Sequence, residues 1–296
     1  MTTVFGVPLS AILGQLMLGL VNGSFYALLS LGLAVIFGLL GVVNFAHGAF
    51  YMLGAFAAYL GLEAFGVNYW CALILAPLVV GILGMVIERL FLRHLYQLDP
   101  LYGLLLTFGI ALIAEGIMRG LFGASGNSYP VPDSLRGGLN LGFMVLPVYR
   151  AWVILASLAV CGATWFLIER TRLGATLRAA TENAALVQAF GINVPLMVMM
   201  TYGAGVALAA LAGVLAAPVI QVSPLMGSSI VIVVFAVVVI GGMGSILGAI
   251  VSGLVLGLIE GLTKVIYPEA SNIVVFVIMA VVLMWRPGGL FGREST

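Results

Sequence analysis

The sequence predicts an all-α polytopic transmembrane fold, a helical bundle of about 8–10 spans with discontinuous helices, and three observations predict it. Of 296 residues, 63% are hydrophobic and 7% are charged, against roughly 25% charged in a soluble domain. So few charges cannot cover a water-facing surface. The apolar residues are gathered into runs near the roughly 20-residue length that crosses a bilayer core. The 39 glycines suit helices that pack closely in lipid, where small residues let backbones approach. We read residues 1–296 as a single transmembrane domain. The net charge of +1 offers no electrostatic case for a nucleic-acid partner or an acidic substrate. Cys71 and Cys161 lie in apolar runs and read as buried small hydrophobes, not as a disulfide or metal site. The first ten residues lack a basic region and the apolar run after them is too long for a secretory signal.

Residues 9–40 are almost unbroken apolar. They form one long tilted helix, a span plus a half-helix, or two short spans. Gly19 and Gly23 make a GxxxG with Asn22 and Ser24 beside it. The stretch Gly41-Val-Val-Asn44-Phe-Ala-His47-Gly48 is a polar interruption between apolar helices. Polar backbone at membrane depth survives only where protein or a water-filled cavity covers it. Asn44 and His47, with Asn22 and Ser24, are therefore candidates for the lining of a translocation path; a re-entrant turn at a membrane face is the other reading of Asn44 and His47. Further spans are expected at 48–62, 69–88, 101–122, 149–168, 196–217, 227–241, 246–263 and 271–285. The span at 227–241 is short enough to be tilted or discontinuous. Residues 123–147 carry Gly, Pro and Asn and read as a loop.

The segment 169–195 is the longest part of the chain suited to water. It carries Arg170, Arg172 and Arg178, the acids Glu169 and Glu182, and many alanines. A short helix along the membrane face, presented to a soluble partner, is the simplest reason for it. If the loop with Arg89 and Arg93 is cytoplasmic, parity puts 169–195 and the C-terminus, with Arg286 and Arg293, on the same side. Arg119, Arg136, Arg150 and Lys264 then fall at or beyond the opposite face, so basic residues favour this orientation.

Several chemistries are excluded. The sole lysine, Lys264, follows no glycine-rich phosphate loop, so the chain has no nucleotide site of its own. Gly123-Ala-Ser125-Gly126 evokes the rhomboid intramembrane protease motif, but His47 and His94 both precede the serine, whereas in that family the histidine follows it. Two isolated histidines make no metal site, and no cofactor is expected. Glu115 with Arg119, and Glu260 with Lys264, stand at i,i+4 and read as mutually neutralised pairs near span ends. Gly253, Gly257 and Gly261 form a small-residue stripe for helix packing, within the chain or against a partner subunit. Residues 48–55 and 242–249 form a faint echo, of the kind transporter repeats leave.

Three stretches carry a resemblance over nearly the whole chain. They are Gly19-Leu-Val-Asn-Gly-Ser-Phe-Tyr-Ala-Leu-Leu-Ser-Leu-Gly-Leu running on to Gly41-Val-Val-Asn-Phe-Ala-His-Gly, the segment Arg172 to Ile192, and Val239-Ile-Gly-Gly-Met-Gly-Ser. On these the sequence resembles the permease subunits of bacterial ATP-binding-cassette importers for branched-chain amino acids, specifically the smaller, H-type permease of the pair. The resemblance implies a multi-pass inner-membrane protein paired with a second permease subunit, two cytoplasmic ATP-binding subunits and a periplasmic solute-binding protein. It implies a coupling helix with a loose Glu-Ala-Ala…Gly pattern, occupied here by Glu182-Asn183-Ala184 and Gly191, with Arg172, Gly174 and Arg178 leading in. Asn183 departs from the stricter Ala version. A related importer of urea or short amides, and an ion-coupled secondary transporter using Glu115 or Glu260, are the alternatives.

Overall fold

The computed structural model of the chain describes residues 3–4, 7–41 and 43–292. After a two-residue pairing of β1 (Thr3–Val4) with β2 (Val7–Pro8), the chain is helical. α1 (Leu9–Leu40) is one uninterrupted helix of 32 residues, which settles the three ways of dividing that stretch. It ends before Gly41, whose φ of 63° is a left-handed conformation that glycine adopts freely. α2 (His47–Phe65) closes on left-handed Gly66. α3 (Tyr69–Leu90) opens on Asn68, whose side chain accepts from the Cys71 N–H at 2.9 Å. α4 (Pro100–Phe122) is capped by Asp99, with proline in its first turn. The capping side chains satisfy amides that a helix start leaves without partners, and the proline, lacking an N–H, leaves none to satisfy.

The loop after α4 carries an antiparallel hairpin of β3 (Gly138–Asn140) and β4 (Val145–Pro147). α5 (Val148–Arg170) follows. The water-suited segment is two helices rather than one: α6 (Arg172–Glu182) and α7 (Ala184–Ala189), broken at Asn183. Then come α8 (Val194–Ala216), capped by Asn193, α9 (Met226–Gly241), α10 (Ile246–Ile266), capped by Ser245, and α11 (Val274–Trp285).

Among the described residues, seven helices are long and apolar enough to cross a membrane: α1, α2, α3, α4, α5, α8 and α10. α9 and α11, with 16 and 12 residues, are apolar but shorter. At about 1.5 Å per residue α11 is well under the roughly 30 Å hydrocarbon thickness. The eight to ten expected spans are reached only by counting these two short helices.

The chain divides into two compact units, and it passes from one to the other within α1, α5 and α9 and, between Tyr129 and Pro130, in the loop after α4. One unit contains the described residues of Met1–Ser30, Pro130–Cys161 and Val233–Thr296. Its centre is the antiparallel contact of the first part of α1 with α10. Gly19 lies on Gly257, Gly23 on Leu254, and Ala27 on Gly253. Ala236, Val237, Ile240, Leu256 and Val275 form an adjoining apolar core. The tail returns to the end of α9, where Leu290 and Phe291 donate to the carbonyls of Ile240 and Gly241.

The other unit contains Leu31–Tyr129 and Gly162–Ile232. Here α3 runs antiparallel to α8, with Gly81 against Gly203 and Ala207, and Met85 against Gly203. α2 packs on α8 through Gly54 and Gly213. A Cβ at either glycine would overlap the facing backbone, so these contacts depend on having none.

Candidate functional site

The polar interruption between α1 and α2 is a turn held on all sides by hydrogen bonds. Asn44 uses both ends of its amide: Oδ1 accepts from the Ala46 N–H at 3.1 Å and Nδ2 donates to the Tyr202 hydroxyl at 3.1 Å. The Phe45 N–H donates to Thr107 Oγ1 at 3.2 Å, and that hydroxyl donates to the Leu104 carbonyl at 3.0 Å. Asn44, His47 and Thr107 are all buried, and the His47 ring rests against Gly32. Thr107 is seven residues into α4 and Tyr202 eight residues into α8. The turn therefore stands about 10–12 Å inward from those helix starts.

Beside this turn is a cavity of about 70 Å³ lined by Phe45, Gly48 and Met52, by Phe108, Leu112 and Glu115 of α4, and by the start of α9. Two helices begin at it. Gly48 of α2 and Gly227 of α9 touch backbone to backbone. In these two first turns, Phe50 and Ser229 find acceptors on Ala46 and Leu225, while the N–H groups of Gly48, Ala49, Gly227 and Ser228 find no backbone acceptor among the described residues. Helix N-termini carry partial positive charge. The two helix starts at this cavity therefore favour an anionic group. Glu115 supplies the opposite sign in the same cavity. The expected ion pair of Glu115 with Arg119 is not formed among the described residues. The i,i+4 spacing permits such a pair without imposing it.

Asn22 and Ser24 belong to the other unit. Ser24 is buried and its hydroxyl donates to the Leu20 carbonyl at 2.8 Å; Asn22 is half-buried. Gly253, Gly257 and Gly261 face Ala27, Gly23 and Gly19 within this chain. Glu260 is held on that helix by Lys264 and by the Tyr26 hydroxyl at 2.7 Å, the neutralised arrangement its spacing suggests.

The segment 169–195 is built on an inward face and an outward one. Gly174, Leu177 and Ala180 are buried, one helical face of α6, and Ala180 joins Val187, Val194, Met197 and Val198 in a small core. Gly174 sits where a Cβ would overlap the Ile168 carbonyl. Arg178 donates to that same carbonyl at 2.9 Å and pairs with Glu169 at 3.4 Å, tying α6 back to α5. Asn183 ends α6 and caps α7, its Oδ1 accepting from the Leu186 N–H at 2.9 Å. The departure from alanine at this position thus has a local reason. Arg172, Glu182 and Ala184 are exposed, and Gly191 turns the chain with φ 81°. Leu186 is 55% exposed and Phe190 77%.

Thr107, Tyr202 and the first turn of α9 were not singled out by the sequence. Thr107 is a lone hydroxyl in an apolar run, the one signal available. Tyr202 and Gly227 become neighbours of the turn only through tertiary packing.

A family model described as branched-chain amino acid transport system / permease component matches residues 15–283. The chain is 30% identical over 303 residues to the high-affinity branched-chain amino acid transport system permease protein BraD of Pseudomonas aeruginosa, with 96% of each chain covered. It is 30% identical over 300 residues to the corresponding protein LivH of Escherichia coli K12, again with 96% of each covered. Similarity to the permease protein LivM of the same organism is 26% over 293 residues, covering 90% of this chain and 67% of that one. No solved structure matches significantly. With an all-helical, membrane-spanning fold and a match running through nearly all of it, this chain belongs to the permease components of branched-chain amino acid transport systems.

Proposed function

We propose that the chain is one permease subunit of an ATP-driven bacterial importer for branched-chain amino acids, seated in the inner membrane with 169–195 on the cytoplasmic side. The observation that carries this reading is the 30% identity, over 96% of both chains, to permeases named for high-affinity branched-chain amino acid transport. In this reading residues 1–296 act as one permease domain and supply half of a pathway. A second permease supplies the other half, two ATP-binding subunits hydrolyse ATP, and a periplasmic binding protein delivers the substrate and sets specificity.

The outward face of α6 and α7 supports the coupling role. Leu186 and Phe190 give an apolar anchor, and Arg172, Glu182 and Asn183 surround it with polar groups that set register. The cavity beside Asn44 and His47 supports a transient substrate position. There the free amides of α2 and α9 would meet a carboxylate, Glu115 an ammonium, and Phe45, Phe108 and Leu112 an aliphatic side chain. ATP-driven closure would move α6 and α7 and bias the helices between outward- and inward-open arrangements.

Co-expression with the neighbouring genes and purification on this subunit tests the reading. A complex that contains a second permease and an ATPase, and that loses only the ATPase when Phe190 is changed to Asp, is the expected result. A chain that purifies alone from cells expressing all partners would contradict it.

A further inference from the structure

Where α3 ends and α8 begins, a cavity of about 230 Å³ is lined by Glu88, Arg89, Arg93, Pro195, Leu196 and Met199. Glu88 is 2% exposed. Its Oε1 accepts from the Tyr96 hydroxyl at 2.8 Å. Its other oxygen takes no hydrogen bond and no ion pair among the described residues. Arg89 and Arg93 are exposed, and neither forms an ion pair among the described residues. Arg93 attracts Glu88 without closing an ion pair with it, so the second carboxylate oxygen, at the cavity wall, is left able to accept from a donor that enters the cavity. Two guanidinium groups beside it call for an anion. Neither a simple cation nor a simple anion answers both demands.

We propose that this cavity binds a small zwitterion, with a primary ammonium on the free oxygen of Glu88 and a carboxylate or phosphate on Arg89 and Arg93. Two sources carry that chemistry: a free amino acid, and the phosphoethanolamine headgroup of a lipid. Leu90, Phe91 and Leu196 are exposed apolar side chains at the same end of the helices, suited to an aliphatic side chain or to acyl chains. A quaternary ammonium has no N–H to donate, and a group lacking the cation faces Glu88 directly. Occupancy would link the end of α3 to the start of α8, and so to the small core that holds α6 and α7.

Calorimetric titration of the purified full chain in maltoside micelles tests the proposal with two matched pairs of probes: dihexanoyl phosphatidylethanolamine against the phosphatidylcholine, and leucine against N-acetylleucine. In at least one pair the primary amine binds about tenfold tighter or more, the scale of a charge-assisted hydrogen bond. The responding pair identifies the source. Glu88→Gln keeps an acceptor for Tyr96 and removes that preference. Arg89→Gln with Arg93→Gln weakens the preferred probe by about tenfold or more. No preference in either pair, or a preference that persists in Glu88→Gln, overturns the proposal. Should Glu88→Gln not purify as a monodisperse species, unchanged binding in the double arginine variant overturns it. Binding is read without ATP on the isolated chain, so failure of the importer reading leaves this result intact.

Discussion

Single side chains explain the form of the segment 169–195. Asn183 stops α6 and starts α7 by accepting from the Leu186 N–H. Replacing it with alanine removes one cap, at a cost of about 1 kcal/mol. Amide exchange over residues 184–189 is expected to quicken about fivefold, and unchanged exchange would show that the cap is not what holds α7. Glu182 is exposed at the junction of the two helices. Glu182→Lys reverses its charge and is expected to abolish ATP-driven uptake while the chain remains in the membrane. Normal stimulation of ATPase activity by that variant would remove Glu182 from the docking surface. In the cavity, Glu115→Gln is expected to lower uptake about tenfold with the complex intact, the scale of a charged hydrogen bond. Full uptake would exclude the carboxylate from the path.

At the level of helices, a run of close backbone approaches joins α1 and α10. Gly19, Gly23 and Ala27 lie against Gly253, Gly257 and Gly261, with no room for added carbon. Gly257→Leu must separate these helices, at a cost of about 2 kcal/mol. The expected result is a lower melting temperature and poor assembly; an intact, fully active complex would contradict that role. The glycine stripe was legible in the sequence because it repeats every four residues on one helix face. The starts of α3, α4, α8 and α10 fall within two residues of the expected spans, and each carries a capping side chain, Asn68, Asp99, Asn193 and Ser245. The break at Asn183 was not legible, since alanine-rich chain on both sides favours one continuous helix and a mid-segment asparagine looks like any polar residue. The partners of the Asn44 turn were not legible either, because Thr107 and Tyr202 reach it from distant helices. Arg293, counted in the orientation argument, lies outside the described residues.

At the scale of the whole chain, the seven long apolar helices and two shorter ones among the described residues account for a sequence with 7% charged residues. Composition and run length were enough to read that much. Function was legible through resemblance in three stretches, whereas the cavity between α2, α4 and α9 depends on which helices meet. In the proposed function this subunit imports aliphatic amino acids with energy taken from ATP through α6 and α7. The most direct measurement is uptake of labelled leucine by vesicles containing this chain with its co-expressed partners and binding protein, with and without ATP on the face carrying 169–195. ATP-dependent accumulation, lost in Glu182→Lys and retained when the proton gradient is collapsed, is the predicted result. Accumulation that needs no ATP and vanishes with the proton gradient would contradict it.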